Sequence, residues 1–359
     1  MEKRLKINKR KANAEGINPR YRLYEDDAEL VDNYRRLYNE AVSMGIDPHT
    51  VKHGWVKDKH TSLFVKNPSF KTQEQTQTEK LREQILKDAK SYAVKYPTIK
   101  RKKSKDSHLL IVDPADVHIG KLSKSFETGE DYNEQIAVKR CKEGVQGILD
   151  KSNGWNIDKI LLIVGNDILH TDTTQATTTR GTFQNTDNMW YDNFLTAKRL
   201  YYDLIETLLQ VADVHILFNP SNHDYMSGFF LAQLLKAHFS KSKNITFDVS
   251  IKTRKYYIYG SNLIGSCHGD QAKQINLGSL MSIEAKQFWG DSKHRYFYTH
   301  HIHHKTGPKD YINVTVESLR SPSSADSWHY RKGYISPKAL EGFIHSKDFG
   351  QVARLTHYF

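Results

Sequence analysis

The hydrophobic rhythm of the chain changes near residue 105. Before that point apolar residues recur at helical spacing, and after it they come in short continuous runs that end in polar clusters. Within residues 26–44, Leu30, Val31, Tyr34, Leu37, Tyr38 and Ala41 lie three and four apart, which predicts an amphipathic helix stopped by Gly45. Asp47 followed by Pro48 pairs a cap with a first-turn proline, so a short second helix is expected. Ala41, Gly45 and Val51 resemble helix-turn-helix spacing, where small residues let two helices meet closely; an ordinary helical hairpin carries the same signature. On the helix-turn-helix reading, residues 49–59 face a major groove and 62–65 form a strand or wing. Residues 72–95 predict a polar amphipathic helix, and Pro97 with the run IKRKKSKD reads as a linker.

Beyond the linker the runs HLLIVD, KILLIVG, VHILFN, NLIGS and YFYT predict strands, with a helix over 200–211 between two of them. Continuous apolar strands alternating with helices indicate an α/β architecture, in which chemistry gathers past the strand ends. The aromatic-rich residues 311–359 alternate in YINVTVESL and LEGFIHS and are expected to complete the sheet. The expected division is a basic, mainly helical N-terminal region over 1–105 and a catalytic domain over 106–359.

Charge sharpens this division. The net charge of +12 is almost entirely N-terminal: residues 1–105 hold 25 Lys and Arg against 14 Asp and Glu, and the remainder 28 against 27. A segregated basic block suits attraction to a phosphate backbone, although a solvated lysine face gives the same count. Two cysteines, Cys141 and Cys267, stand in no metal-ligand spacing and indicate neither a disulfide framework nor a zinc knuckle. The first residues lack the apolar core of a signal peptide and no run is long enough to span a membrane, so a cytoplasmic location without a membrane partner is expected. Neither GxxxxGK[ST] nor GxGxxG occurs, which excludes those nucleotide-binding loops.

The polar clusters carry the candidate chemistry. Asp116 and His118 lie two apart past the first strand and could share a metal; alone, the pair is ordinary surface polarity. The second run ends in Gly165-Asn166-Asp167-Ile168-Leu169-His170, where Asp167 could bridge two ions or cap a helix. The third ends in Ser221-Asn222-His223-Asp224, offering an amide oxygen to a metal beside an imidazole free for proton transfer. The fourth ends in Cys267-His268-Gly269-Asp270 and the fifth in His300-His301-Ile302-His303-His304. Histidine-rich tracts also bind metal adventitiously.

In order, these five blocks resemble the pattern of the calcineurin-like metallophosphoesterase superfamily: D-x-H, G-D, G-N-H-(D/E), a lone H, then G-H-x-H. The form G-N-D-I-L-H followed by N-H-D resembles the Mre11/SbcD-type nuclease branch, with His170 the residue that favours it. The resemblance implies a four-layer α/β/β/α sandwich. It places Asp116, His118 and His303 on one metal, Asn222, His268 and His301 on a second, and Asp167 between them. His223 and His170 would stand unligated at the scissile phosphate. Two positions depart from the pattern: His300 and Ser221 stand where the family has glycine. Two divalent ions are implied, manganese by the nuclease relatives, with iron or zinc also suited to these ligands. The implied reaction is phosphodiester hydrolysis by a metal-activated hydroxide, with His223 stabilising the transition state or protonating the leaving oxygen as general acid, and His170 orienting the same group. Nucleic acid, DNA first, is the expected partner, and Mre11-like relatives imply a homodimer.

Around this set, residues 171–188 read as a loop over the site, with Arg180 a candidate phosphate contact and His304 a second; Lys305 and Arg320 would join if the chain folds back. Two other functions stay open: hydrolysis of a small nucleotide or phosphomonoester on the same metals, and nucleic-acid binding without catalysis.

Overall fold

The computed structural model describes residues 4–5, 23–24, 27–57, 62–67, 95–102 and 104–359. Most of the expected N-terminal basic arm and the expected helix over 72–95, Lys95 excepted, lie outside the described residues. The chain forms two compact units, Met1–Asp88 and Ala89–Phe359.

In the first unit β1 (Arg4–Leu5) pairs antiparallel with β2 (Leu23–Tyr24), and the predicted helix is α1 (Asp27–Ser43). Gly45, at φ 71°, turns the chain out of it. Over the described residues 49–57 the expected second α-helix does not form. A single 3₁₀ turn, Pro48–Thr50, leads into β3 (His53–Lys57), which pairs antiparallel with β4 (Ser62–Lys66). The helix-turn-helix expectation is corrected accordingly, while the strand expected at 62–65 is present. The reason is period-2 pairing: Trp55 lies opposite Phe64, rings 5.5 Å apart, and Gly54 opposite Val65. Leu37 of α1 packs on Val65 and Val51, and its side chain takes the space a Cβ on Gly54 would fill.

The second unit is a mixed α/β structure of two sheets flanked by helices. Chain order is β5 (His108–Asp113), α2 (Ser125–Thr128), α3 (Glu134–Lys151), β6 (Ile157–Gly165), α4 (Trp190–Val211), β7 (Asp213–Asn219), α5 (Tyr225–His238) and β8 (Ile245–Asp248). Then come β9 (Lys255–Tyr259), β10 (Asn262–Ser266), α6 (Gln274–Glu284), α7 (Lys286–Trp289), β11 (His294–Thr299), β12 (Thr306–Asp310) and β13 (Thr315–Ser318). The last elements are α8 (Ser327–Arg331), β14 (Ala339–Ser346) and β15 (Gly350–Tyr358). One sheet runs β15-β14-β5-β6-β7-β8 and the other β12-β13-β11-β10-β9. Strands β5 to β8 are mutually parallel, as are β10, β11 and β13. The C-terminal hairpin β14–β15 completes the first sheet, as the alternation in that segment predicts.

Successive residues of a strand face opposite ways, so a run that is apolar throughout needs a partner on both faces. In β5, Leu110 and Val112 pack under the helices with Ile160, Leu162 and Val164 of β6, whereas Leu109, Ile111, Leu161 and Ile163 face the other sheet. That sheet returns Ile264 and Tyr298 to the interface and presents Leu263, Phe297 and Val316 to Leu277 and Met281 of α6. The result is four layers, helix, sheet, sheet and helix. Among the described residues no helix is long and apolar enough to cross a membrane.

The segment expected to be a linker is attached to this unit. Tyr96 Oη donates to Glu206 (2.6 Å), Ile99 N donates to Asn244 (2.9 Å), and Arg101 pairs with Asp213. The expected boundary near residue 105 therefore falls inside the second unit, which extends back to Ala89.

One glycine governs how β6 enters its loop. Gly165 has φ 103°, and a Cβ there would lie 1.9 Å from the Asn219 carbonyl of the neighbouring strand. Gly165→Ala is expected to lower unfolding free energy by at least about 2 kcal/mol in denaturant titration, since both backbone strain and backbone overlap oppose it. An unchanged midpoint would contradict this close approach.

Candidate metal centre

The five polar clusters meet past the C-terminal ends of β5, β6, β7, β10 and β11. Six non-glycine residues there adopt left-handed backbone: Asp116 (φ 52°), His118 (48°), Asn166 (55°), Asp167 (61°), His301 (74°) and His303 (57°). Each such residue costs about 1–2 kcal/mol and persists only where its surroundings hold it. Here the first two loops lock together, with Asp116 N donating to Asn166 O (2.7 Å), His118 N to Asp167 O (2.9 Å) and Ile119 N to Ile168 O (2.7 Å). The strain turns the side chains of alternate residues to one point.

Two groups of potential ligands result, and they share Asp167. Asp116, His118, Asp167 and His303 converge in one; Asp167, His268 and His301 converge in the other. In the first, His118 Nε2 lies 3.1 Å from His303 Nε2, which is 3.5 Å from Asp116 Oδ1. In the second, His268 Nε2 lies 3.2 Å from both Asp167 Oδ2 and His301 Nδ1, and 2.8 Å from Asn222 Oδ1. A third convergence, His118, His170 and His223, has no carboxylate to offset a dication.

The residues fit a pair of divalent ions. Asp116 Oδ1 and Asp167 Oδ2 are buried without a hydrogen-bond partner, which is costly for a carboxylate unless a cation sits against it. Ring nitrogens aimed at one another within 3.2 Å likewise leave lone pairs facing a common point. Asp116, His118, Asp167 and His303 would hold one ion, and Asp167, Asn222, His268 and His301 the other. Imidazole, carboxylate and amide donors together suit manganese, iron or zinc and do not select among them.

Electrostatics tie the carboxylates and histidines to one another, and ligation by His268 would displace the proton that Asp167 holds on it. Burial alone would raise the Asp167 carboxyl, but His268 and His223 hold it far below the usual range. Burial opposes the charge on His268 in turn, yet Asp167 pushes it up to about 9. His118 and His170 are held well below the ordinary histidine value, first by burial and then by the neighbouring His223, so both are neutral imidazoles able to donate a lone pair.

The positions that depart from the expected glycines are built into this scaffold. Ser221 Oγ accepts from Asp167 N (2.7 Å) and donates to Asp224 Oδ1 (2.5 Å), whose other oxygen accepts from Leu169 N (2.9 Å). His300 is buried, with Nε2 2.9 Å from Asp113 Oδ2 and Nδ1 3.1 Å from the Cys267 carbonyl, and so ties the ends of β5, β10 and β11 together.

His170 and His223 lie beside the two groups. The His223 Nδ1 is 2.9 Å from the His170 carbonyl, which can only accept, so Nδ1 carries a hydrogen and Nε2 is left for the cleft. Its backbone N–H donates to Asp167 Oδ1 (3.1 Å). The His170 Nδ1 lies 3.2 Å from His118 Nδ1, so His170 also orients a ligand, a role its position in the motif does not suggest.

A cleft of 870 Å³ opens over these residues, and its lining includes His118, Asp167, His170, His223, His301 and His303. A neighbouring cavity of 220 Å³ adjoins Asn222, His223 and His301 and is lined by Arg180 and Asp270. His304 lines the larger cleft, with Nδ1 2.7 Å from the Ile302 carbonyl. Arg320 lies elsewhere, paired with the buried Glu341 at 2.8 Å. The loop over 171–188 borders the cleft through Thr182, Phe183, Gln184 and Asn185 and is anchored where Asp172 accepts from Met226 N (3.1 Å) and Ser227 N (2.8 Å).

Three cleft residues escape a reading of the sequence. Lys121 is fully buried, with its ammonium 3.3 Å from Asp326, and Asp326 accepts from the backbone N–H of His329 (2.9 Å) and lies 2.7 Å from its Nδ1. The only local signals are a lysine three residues after His118 and an Asp-x-x-His spacing far downstream.

No known family profile matches the chain, and no curated protein matches it. Among solved structures it is similar to Vps29 from Chaetomium thermophilum, at 9% identity over 70% of this chain and 96% of that one, with a TM-score of 0.31. It is also similar to a dimetal phosphatase from Danio rerio, at 8% identity over 71% of this chain and 100% of that one, with a TM-score of 0.38. Likenesses this distant carry no weight for chemistry, which has to be read from the site's own side chains.

Proposed function

We propose that this chain is a two-metal phosphodiesterase of the calcineurin-like metallophosphoesterase superfamily that cleaves nucleic acid, DNA first. The observation that carries the reading is Asp167, a buried carboxylate common to two histidine-rich groups, with His223 beside it and its Nε2 turned to the cleft. When bound, two ions would neutralise phosphate oxygens and lower the pKa of water enough to supply a nucleophile at neutral pH.

The chain's own residues supply the rest. His223, held by the His170 carbonyl, would carry a proton at Nε2 to the departing oxygen. His170 keeps both His118 and His223 in place. Arg180 and His304 would meet phosphate oxygens on either side of the ligands. A diester is favoured over a monoester because two cavities flank the ligands and meet at Thr182, Gln184, His223 and His301, leaving room for a group on each side of the phosphorus. His170 in the second motif block supports the Mre11/SbcD-type branch, and with it manganese as the metal. The charge excess over 1–105 supports delivery of nucleic acid by this region, and most of it lies over 89–105, with seven Lys and Arg and no Asp or Glu, against 18 and 14 over 1–88.

The test uses the full chain with linear duplex and single-stranded DNA, one metal at a time. Cleavage with manganese and none with chelator is expected. DNA left intact under manganese, iron and zinc would sink the reading. Replacing Lys100, Lys102, Lys103 and Lys105 by Gln should weaken DNA binding and flatten its salt dependence while sparing turnover of a small diester; unchanged DNA affinity would remove the delivery role of this stretch.

A further inference from the structure

The main cleft is built asymmetrically. Residues 326–334 form one wall, where Asp326 caps α8 and the His329 ring stacks on the ligand His303 (centroids 5.1 Å, planes 11° apart). From that stack the rings continue outward, with Trp328 5.0 Å from His329 and Tyr334 5.6 Å from Trp328. The loop over 171–188 adds Phe183 to the same cleft. Trp328, Tyr334 and Phe183 are 57%, 56% and 69% exposed. Exposure alone does not distinguish them, since Phe126 and Trp190 are also exposed. Their place does: all three line a space that opens on the metal ligands.

The same cleft is lined by a buried lysine paired with a carboxylate. Lys121 is buried, its ammonium has no hydrogen-bond partner, and Asp326 at 3.3 Å is its one ion pair. An ammonium has three donors, so this one has capacity left for an anion. Arg331 stands at the rim, 3.3 Å from Glu127. A ligand that satisfies this wall needs a flat apolar part for the rings and an anionic part for Lys121.

We propose that this wall is a base subsite: an unpaired nucleobase of a nucleic-acid strand stacks on Trp328 and Tyr334, with Phe183 alongside, while its phosphate meets Lys121. The inference rests on the phosphodiesterase reading and extends it to the form of the substrate. A base within a duplex has its faces covered by its neighbours, so only an unpaired base can present one to these rings. The cavity at Arg180 continues the cleft past the ligands, and a strand fills both arms where a mononucleotide ends at its phosphate.

The experiment measures binding to the manganese-loaded full chain by fluorescence anisotropy. Its probes are a labelled trinucleotide with cleavage-resistant phosphorothioate links, the same backbone with abasic sugars, and a labelled mononucleotide. The intact trinucleotide should bind tightest. Trp328→Ala should weaken it about tenfold or more, as expected for loss of one base-aromatic stack, while Trp328→Phe retains most of the affinity and the abasic trimer changes less than about twofold. Phe183→Ala should act in the same direction and serves if Trp328→Ala melts early. Equal loss for both trimers, or loss for neither, overturns the subsite, and a mononucleotide that binds as tightly as the trimer overturns the strand assignment. A trimer bound with this discrimination whose ordinary phosphodiester is never cut leaves the subsite standing and removes the hydrolase; cleavage without discrimination does the reverse.

Discussion

Asp167→Asn should reduce bound metal from two ions per chain to one or none and lower phosphodiester hydrolysis by about a thousandfold or more, equivalent to about 4 kcal/mol of barrier. The substitution preserves shape and removes charge. Asp167 Oδ1 would still accept from His223 N, because an amide oxygen can take that bond. The atom replacing Oδ2 would then be an NH₂ facing His268 Nε2 at the distance where the carboxylate now stands, and an amide nitrogen that donates cannot ligate. Because Asp167 holds the His268 pKa up to about 9, its loss should also bring His268 back toward the ordinary range in the metal-free protein. Elemental analysis and steady-state kinetics on one preparation decide the matter: two ions retained with full activity would show that Asp167 is not the shared ligand.

His223→Ala is expected to act differently, lowering kcat on DNA by about 10²- to 10⁴-fold while both metals stay bound. His223 belongs to neither carboxylate-containing group, and its Nδ1 is occupied by the His170 carbonyl. The loss should shrink on a diester with a good leaving group such as p-nitrophenol, which departs without a proton. Equal losses on both substrates would remove the general-acid role, and a fall in metal content would assign His223 to the third convergence, with His118 and His170.

Much of the site could be read locally. Each ligand lies just past an apolar run, and a run apolar on both faces already implies a strand between two layers, so Asp116, Asp167, Asn222, His268 and His301 could be placed at strand ends before any contact was known. The N-terminal segment was less legible. Trp55 and Val56 became a strand because Phe64 and Leu63 were there to pair with them, and the cap-and-proline signal at Asp47 and Pro48 closed one turn only. The linker reading of residues 97–106 failed for a related reason. A basic, proline-containing run looks like a tether until Asp213 and Asn244 supply its partners.

The sequence by itself determined the strand-end blocks, their order and the kinds of donor they offer, because strand periodicity and ligand chemistry are properties of short segments. Tertiary structure decided which atoms share a point. His118 and His303 lie 185 residues apart, and Ser123, two residues after Lys121, bonds to the Ala325 carbonyl beside Asp326 across a separation of 202. The tie from His170 to His118, the bond from Asp167 N to Ser221 and the pair formed by His300 and Asp113 likewise depend on elements distant along the chain. A side chain's role there is set by distance in ångströms, which spacing in residues does not encode once the chain has turned back on itself.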